Sequence, residues 1–166
     1  GMGRIGRAIA KRARAFGMKI HYHNRKKLEP SLELEAVYHK DIKSLFSNSD
    51  VLSINCPATK ETKDIINKKT LEYFPEGAII TNSARGDMIE DDAMVKALQE
   101  KKIYALGLDV YKGEPNIHPG YLNQPNVFIL PHLGSATKKT RTDMADLAIN
   151  NIEEFFKTGN CKNKVN

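Results

Sequence analysis

The first six residues of the chain read Gly-Met-Gly-Arg-Ile-Gly, which fits the pattern G-x-G-x-x-G. Glycines at these positions permit a tight turn, a close approach of backbone N–H groups to a pyrophosphate, and close packing of the following helix. The positive end of that helix favours a bound phosphate. The spacing therefore predicts a dinucleotide-binding loop. On the motif alone, a glycine-rich start without a binding role is the alternative.

The position that distinguishes between dinucleotides lies about 20 residues further along the chain. An acidic side chain at this position binds the adenosine ribose hydroxyls, but this chain has Asn24, followed by Arg25, Lys26 and Lys27. Because no carboxylate repels it, a 2′-phosphate can pair with Arg25 and the neighbouring lysines. The turn favours NADP(H) as the coenzyme and leaves NAD(H) open. The alternative is a solvated basic turn without a role in binding.

Four further blocks follow the glycine loop. They are Cys-Pro-Ala-Thr-Lys-Glu-Thr at residues 56–62, Asn-Ser-Ala-Arg-Gly at 82–86, Gly-Leu-Asp-Val at 107–110 with Gly-Glu-Pro at 113–115, and Pro-His-Leu-Gly-Ser-Ala-Thr at 131–137. In order and spacing, the five blocks together resemble the D-2-hydroxyacid dehydrogenases over nearly the whole chain. The resemblance implies an oxidoreductase that transfers a hydride between NAD(P)H and a small 2-oxo acid.

The resemblance also implies three catalytic residues, which are Arg85, Glu114 and His132. In such a reaction a carbonyl becomes an alkoxide, so a proton donor with a pKa near neutrality is needed, and His132 matches the family histidine. A carboxylate at Glu114 would keep that histidine protonated. Arg85 offers the planar pair of donors that a substrate carboxylate and carbonyl require.

The same blocks supply the predicted coenzyme contacts, and no metal ligand is predicted. Asp109 matches the family position that contacts the nicotinamide carboxamide. The predicted coenzyme-binding residues are Gly1, Gly3, Arg4, Ile5, Gly6, Asn24, Arg25, Cys56, Pro57, Thr62, Ser83, Ala84, Arg85, Asp109, His132, Gly134 and Ser135.

The residues after the histidine bear on the substrate. Gly-Ser-Ala-Thr at 134–137 resembles the glyoxylate and hydroxypyruvate reductases more than the lactate branch, which usually has aromatic residues there. Glyoxylate or hydroxypyruvate is the expected substrate, and reductases of 2-ketogluconate and phosphoglycerate dehydrogenases stay open. A corepressor-like relative and a non-catalytic dinucleotide-binding module are alternatives from other classes. Glu114 argues against formate dehydrogenases, which usually have glutamine at the acid position.

The elements that must position these residues alternate between strands and helices. Apolar spacing predicts a helix from just after Gly3 to Gly17, a short helix around residues 42–46, a helix end at 71–74, a helix at 91–101, and a last helix from Ser135 or Thr137 to Gly159. A short segment at residues 18–23 precedes the expected strands at 50–54, 78–81, 103–110 and 127–130. This alternation is typical of an α/β fold with a Rossmann-like, doubly wound parallel sheet.

We expect residues 1–159 to form the dinucleotide-binding domain and residues 160–166 a C-terminal tail. The first strand of the sheet, which precedes the glycine loop in this fold, and the substrate domain of the family are expected to be missing from this chain. On that expectation, the isolated chain would be unstable, inactive or both.

Composition and charge argue against nucleic-acid-binding and membrane-spanning classes of protein. The net charge of +6 is spread along the chain without a nucleic-acid motif, so no nucleic-acid partner is expected. No apolar run approaches the roughly 18 residues of a membrane helix. Cys56 and Cys161 are far apart and form no C-x-x-C motif, so the sequence predicts free thiols in a reducing compartment such as the cytoplasm. The family resemblance implies that the parent protein is a homodimer.

Overall fold

The computed structural model describes residues 1–165 and divides them into two compact units, Gly1–Pro131 and the residues from His132 onward. Strands and helices alternate, as the sequence predicted. In chain order the elements are α1 (Arg4–Ala15), β1 (His21–Tyr22), α2 (Pro30–Glu33), β2 (Val37–Tyr38), α3 (Ile42–Ser47), β3 (Val51–Ile54), α4 (Lys68–Leu71), β4 (Ala78–Asn82), a 3₁₀ turn (Gly86–Met88), α5 (Asp91–Gln99), β5 (Ile103–Leu108), α6 (Pro119–Leu122), β6 (Val127–Ile129) and α7 (Lys138–Thr158).

All strand pairs within the described residues are parallel. Four strands form one sheet in the order β3-β4-β5-β6, and β1 pairs with β2 in a separate sheet. Both sheets lie in the first unit. Parallel strands place their carboxyl ends on one edge, so the loops that follow β3, β4 and β5 meet at the same side of the larger sheet. The predicted Rossmann-like class is confirmed.

The apolar residues of the first unit form two separate clusters. The larger cluster buries one face of β3, β4 and β5 against α3, α4 and α5, and the smaller one joins Met2, Ala10, Tyr22 and Ala36. On the opposite face of the larger sheet, Val51 is 42% exposed. Burial therefore alternates along these strands, as period-2 geometry requires.

Most of the predicted element boundaries agree with the structure to within two residues. Thr137 is the N-cap of α7, because its side chain accepts a hydrogen bond from the Thr140 amide, and Gly159 ends the helix with φ at +73°. The helix end predicted at residues 71–74 agrees with the end of α4 at Leu71, and the residues that follow it form tighter i→i−3 turns. The short elements α2, β2 and α6 were not predicted.

Among the described residues, no helix combines the length and the apolar character that crossing a bilayer requires.

Candidate active site

The glycine loop lies between the carboxyl ends of β1 and β3. The Gly1 nitrogen donates to the His23 carbonyl at 3.1 Å, and a Cβ on Gly1 would lie 2.5 Å from the Asn55 carbonyl carbon. A Cβ on Gly6 would lie 2.1 Å from the Gly1 oxygen, so neither position admits a side chain. Gly3, by contrast, has no atom within 4 Å of its ideal Cβ position. The tight turn therefore leaves open space beside the first turn of α1.

The first turn of α1 is suited to an anion. Gly3 is the N-cap and provides no side-chain hydrogen bond, and the first turn contains no acidic residue. Its N–H groups and the helix dipole therefore present positive character to the open space beside Gly3. Arg4 and Ile5 are exposed at the same point. These features fit the pyrophosphate of a dinucleotide.

Asn24 connects the turn after β1 to the glycine loop. Its Oδ1 accepts a hydrogen bond from the Met2 amide at 2.7 Å. Two residues earlier, the buried Tyr22 hydroxyl donates to Glu33 Oε1 at 2.5 Å and accepts from the Leu28 amide at 3.0 Å. The turn that carries Asn24 is therefore held from both sides.

The cations of this turn differ in their surroundings. Arg25 and Lys26 are exposed, whereas Lys27 Nζ lies 3.6 Å from the Glu33 carboxylate. Arg25 and Lys26 thus present the positive charge that the sequence predicted at the adenosine end of the site.

The segment after β3 carries Cys56, whose thiol donates to the Met88 sulfur at 3.6 Å. Pro57 is exposed, and its carbonyl accepts a hydrogen bond from the Thr62 hydroxyl at 2.8 Å. The same hydroxyl accepts from the Thr59 amide at 2.8 Å. Thr62 therefore closes this loop on itself, which the block pattern did not predict.

Asn82 organises the turn that carries Arg85. This asparagine is 1% exposed at the end of β4, where its Oδ1 accepts from the Ala84 amide at 3.0 Å and its Nδ2 donates to the Arg85 carbonyl at 2.8 Å. The backbone of Ser83 and Ala84 is thereby held, and the Arg85 guanidinium is exposed and donates to the Ala84 carbonyl at 2.6 Å. Asn82 positions Arg85 at the carboxyl edge of the sheet.

The segment after β5 carries Asp109 and Glu114. The Asp109 amide donates to the Asn82 carbonyl at 3.0 Å, and Glu114 Oε1 accepts from the Tyr111 amide at 3.1 Å. Gly86 packs directly on this segment, because a Cβ there would lie 2.1 Å from the Tyr111 carbonyl carbon. The turn of Arg85 and the loop of Glu114 are thus in direct backbone contact.

His132 begins the second compact unit, and its backbone has φ at +56°. This left-handed conformation is uncommon for residues other than glycine, although histidine is among those enriched there. His132, Gly134 and Ser135 are exposed, and they precede the Thr137 cap of α7. The imidazole is therefore presented by a short loop anchored at the start of a 21-residue helix.

Apart from those of the glycine loop, the predicted site residues follow strands of the parallel sheets along the chain. The structure joins the glycine loop to Asn24 and to the segment that begins at Asn55, and it joins the Arg85 turn to the Glu114 loop. Sequence reasoning missed the role of Asn82. The sequence did contain a signal for this role, because an asparagine side chain commonly accepts a hydrogen bond from the backbone amide two residues further along, here that of Ala84.

Residues 1–134 match the family model described as "D-isomer specific 2-hydroxyacid dehydrogenase, NAD binding domain". The chain is 45% identical to 4-methyl-2-oxopentanoate reductase A of Aspergillus oryzae over 159 residues, which is 96% of this chain and 48% of that protein. Among solved structures, a glyoxylate reductase from Paecilomyes thermophila superposes with a TM-score of 0.95 at 44% identity, covering 99% of this chain and 50% of that one.

A second similar structure is an NADPH-dependent glyoxylate/hydroxypyruvate reductase from Sinorhizobium meliloti in complex with NADP and malonate. It superposes with a TM-score of 0.92 at 38% identity, covering 98% of this chain and 50% of that one. The chain therefore spans about half the length of the proteins it matches.

Proposed function

The chain belongs to the D-isomer specific 2-hydroxyacid dehydrogenase family, and we propose that it is the coenzyme-binding part of a reductase of small 2-oxo acids. The proposal assigns residues 1–159 to the coenzyme-binding domain and residues 160–166 to a C-terminal tail. The proposed reaction is assigned to the whole protein. The matched relatives are about twice as long as this chain.

The backbone contact between the Arg85 turn and the Glu114 loop carries this proposal. A cation and a carboxylate from different strands are held at one edge of a parallel sheet, which is where ligands bind in this class of fold. The open space above Gly3 belongs to the same unit. A surface arginine and a solvated glutamate without function would need neither the buried Asn82 clasp nor the close approach of Gly86.

The residues would divide the chemistry between them. The nicotinamide, when bound, supplies the hydride. Arg85 would bind the substrate carboxylate and polarise its carbonyl with paired N–H donors. His132 would donate the proton that the forming alkoxide requires, and Glu114 would favour the protonated imidazole. Asp109, Ser83 and Ala84 would orient the nicotinamide end, together with Gly134 and Ser135.

We propose NADP(H) as the preferred coenzyme. Asn24 is neutral and accepts a hydrogen bond from the Met2 amide through its Oδ1, so this position carries no carboxylate that would repel a 2′-phosphate. Exposed Arg25 and Lys26 supply charge for a 2′-phosphate. The NADP complex of the Sinorhizobium meliloti relative supports this choice.

We propose glyoxylate or hydroxypyruvate as the substrate. The relatives named for glyoxylate reduction support this, and so do the small residues at 134–137, where the lactate branch usually has aromatic residues. The 4-methyl-2-oxopentanoate reductase is the competing precedent, since its named substrate has a branched apolar tail.

The test is a turnover assay of the whole protein with both 2-oxo acids and with 4-methyl-2-oxopentanoate, using NADPH and NADH in parallel. We expect NADPH oxidation with glyoxylate or hydroxypyruvate that is lost on Arg85→Ala and on His132→Ala. Arg12→Ala is the matched control, because Arg12 is also exposed and also donates to a neighbouring carbonyl, that of Ala8. Absence of turnover with all three acids would refute the function.

The coenzyme preference has its own variant. Asn24→Asp retains an acceptor for the Met2 amide but adds a negative charge beside the expected 2′-phosphate. We expect the KM for NADPH to rise by about tenfold or more, which corresponds to about 1.4 kcal/mol, and the KM for NADH to change little. Equal effects on the two coenzymes would remove the basis for NADP selectivity.

We also propose that the protein is cytoplasmic and homodimeric. Both cysteines are free thiols, which is typical of a reducing compartment. Light scattering on the whole protein would measure its mass in solution directly, and a monomeric mass would contradict the dimer.

A further inference from the structure

Asp64 is hydrogen-bonded to two distant segments of the chain and to its own. Its amide donates to the Asp87 carbonyl at 2.8 Å, its Oδ1 accepts from Lys112 Nζ at 3.0 Å, and its carbonyl accepts from Asn67 Nδ2 at 2.8 Å. Its backbone has φ at +48°, a region in which aspartate is several-fold enriched over most residues. Asp64 thus forms a junction between the loop after Thr62 and two other loops.

The two other loops are those that carry the proposed chemistry. Asp87 follows Arg85 by two residues, and Lys112 precedes Glu114 by two. Lys112 also follows Tyr111, whose amide donates to the Glu114 carboxylate. The junction therefore reaches the Arg85 turn through a backbone hydrogen bond and the Glu114 loop through an ion pair.

The surroundings of Lys112 keep it cationic. Burial lowers its pKa, but the hydrogen bond and charge of Asp64, with the carboxylates of Asp91 and Asp87, outweigh burial and raise the pKa overall. The side chains of Lys112 and Asp64 remain 37% and 35% exposed, so water screens their attraction. A pair in this setting contributes little to stability, and its effect is on the spacing of the segments it joins.

We propose that Lys112 and Asp64 are positioning residues, whose ion pair holds the Glu114 loop at a fixed spacing from the Arg85 turn during reduction of the 2-oxo acid. The inference rests on the proposed function, since it gives these residues a role in that reaction. It adds two residues that are not among the proposed coenzyme or substrate contacts and that would act through Arg85 and Glu114.

The first test compares Lys112→Met with Lys102→Met in the whole protein. Lys102 is the matched control, because its ion pair with Glu76 is 2.9 Å long and it lies just before β5, at the opposite end of the strand. We expect Lys112→Met to lower kcat by about threefold to tenfold with little change in the KM for NADPH. Lys102→Met should leave kcat unchanged, and Lys112→Arg should restore most of the activity.

Two further readouts separate positioning from a loss of stability. The pH profile of kcat/KM should change in Lys112→Met and stay that of the wild type in Lys102→Met, since a displaced Glu114 would no longer serve the proposed proton transfer as it does in the wild type. Asp64→Asn, which suits the left-handed backbone, should resemble Lys112→Met, and the double variant should be no worse than either single one.

Hydrogen exchange tests the inference independently of turnover. The amides of Tyr111 and Asp64 should exchange faster in Lys112→Met than in the wild type, and should be unchanged in Lys102→Met. If the wild type reduces no 2-oxo acid, the proposed function fails, and a role in that reaction fails with it whatever the exchange shows. If the wild type is active but Lys112→Met keeps its kcat within twofold and its exchange rates, the positioning role is overturned and the proposed function stands.

Discussion

Replacement of Gly86 by alanine tests whether the contact between the Arg85 turn and the Glu114 loop matters. The new Cβ would lie 2.1 Å from the Tyr111 carbonyl carbon and 2.3 Å from the Lys112 nitrogen, whereas ordinary contact begins at 3.4 Å. Both neighbouring atoms belong to the backbone, so no side chain can rotate away. The two segments must separate by about 1 Å to accept the methyl group.

This displacement predicts two magnitudes. Overpacking costs about 1–3 kcal/mol, and a clash with backbone belongs at the upper end. A loss of about 3 kcal/mol lowers the Tm by about 6–12 °C in a domain of this size. A 1 Å misplacement of groups that orient a substrate costs about 100-fold in turnover, so kcat should fall much further than stability alone explains.

The assay measures the Tm by circular dichroism and the turnover of 2-oxo acid by NADPH oxidation, both on the whole protein. Gly107→Ala is the matched control, because a Cβ there meets only the Thr81 methyl group, at 3.4 Å. A glycine in a strand interior gains about 0.5–1 kcal/mol on replacement by alanine, so this variant should be as stable as the wild type or slightly more. Equal behaviour of the two variants, or a Gly86→Ala protein with unchanged Tm and kcat, would refute the reasoning.

Other predictions concern the buried polar groups. Tyr22→Phe leaves Glu33 without its phenol donor and should lower the free energy of unfolding by about 1–3 kcal/mol in urea titrations; an unchanged midpoint would contradict this. Burial and the nearby Asp91 raise the pKa of Tyr121, so the folded state holds this proton more tightly and stability should be lost as pH rises above about 10. Tyr121→Phe should flatten that alkaline loss, as followed by Tm against pH. Burial, and then the charge of His21, lower the pKa of His39 against the opposing Asp41, so stability should fall as pH drops below 6.5. His39→Gln should weaken this acid dependence, and an identical pH profile would argue against it.

The sequence predicted the parallel sheet because short apolar strands and the helices between them leave clear periodic patterns. It predicted α1 and α7 well, since glycines and a threonine cap mark their ends. It could not predict α2, β2 and α6, which have four residues or fewer and show no period. Their positions depend on tertiary hydrogen bonds such as those of the Tyr22 hydroxyl.

The candidate site was predicted as a set of residues, but not as a set of contacts. Motif positions indicate Arg85 and Glu114, yet they do not reveal that Gly86 brings the two segments into backbone contact. The Lys112–Asp64 pair joins residues 48 positions apart, which local patterns cannot register. The clasp by Asn82 is the exception, since its hydrogen bonds are local and follow a known side-chain preference.

The two apolar clusters of the first unit support different parts of the candidate site. The smaller one, around Tyr22, supports the turn that carries Asn24, and the larger one supports the loops of Arg85 and Glu114. Because residues that share no contact respond nearly independently to substitution, changes around Tyr22 that leave the glycine loop in place should not disturb the Arg85 and Glu114 loops. Under the proposed function, the preference between NADPH and NADH and the chemistry of reduction would then be traits that substitutions can change separately.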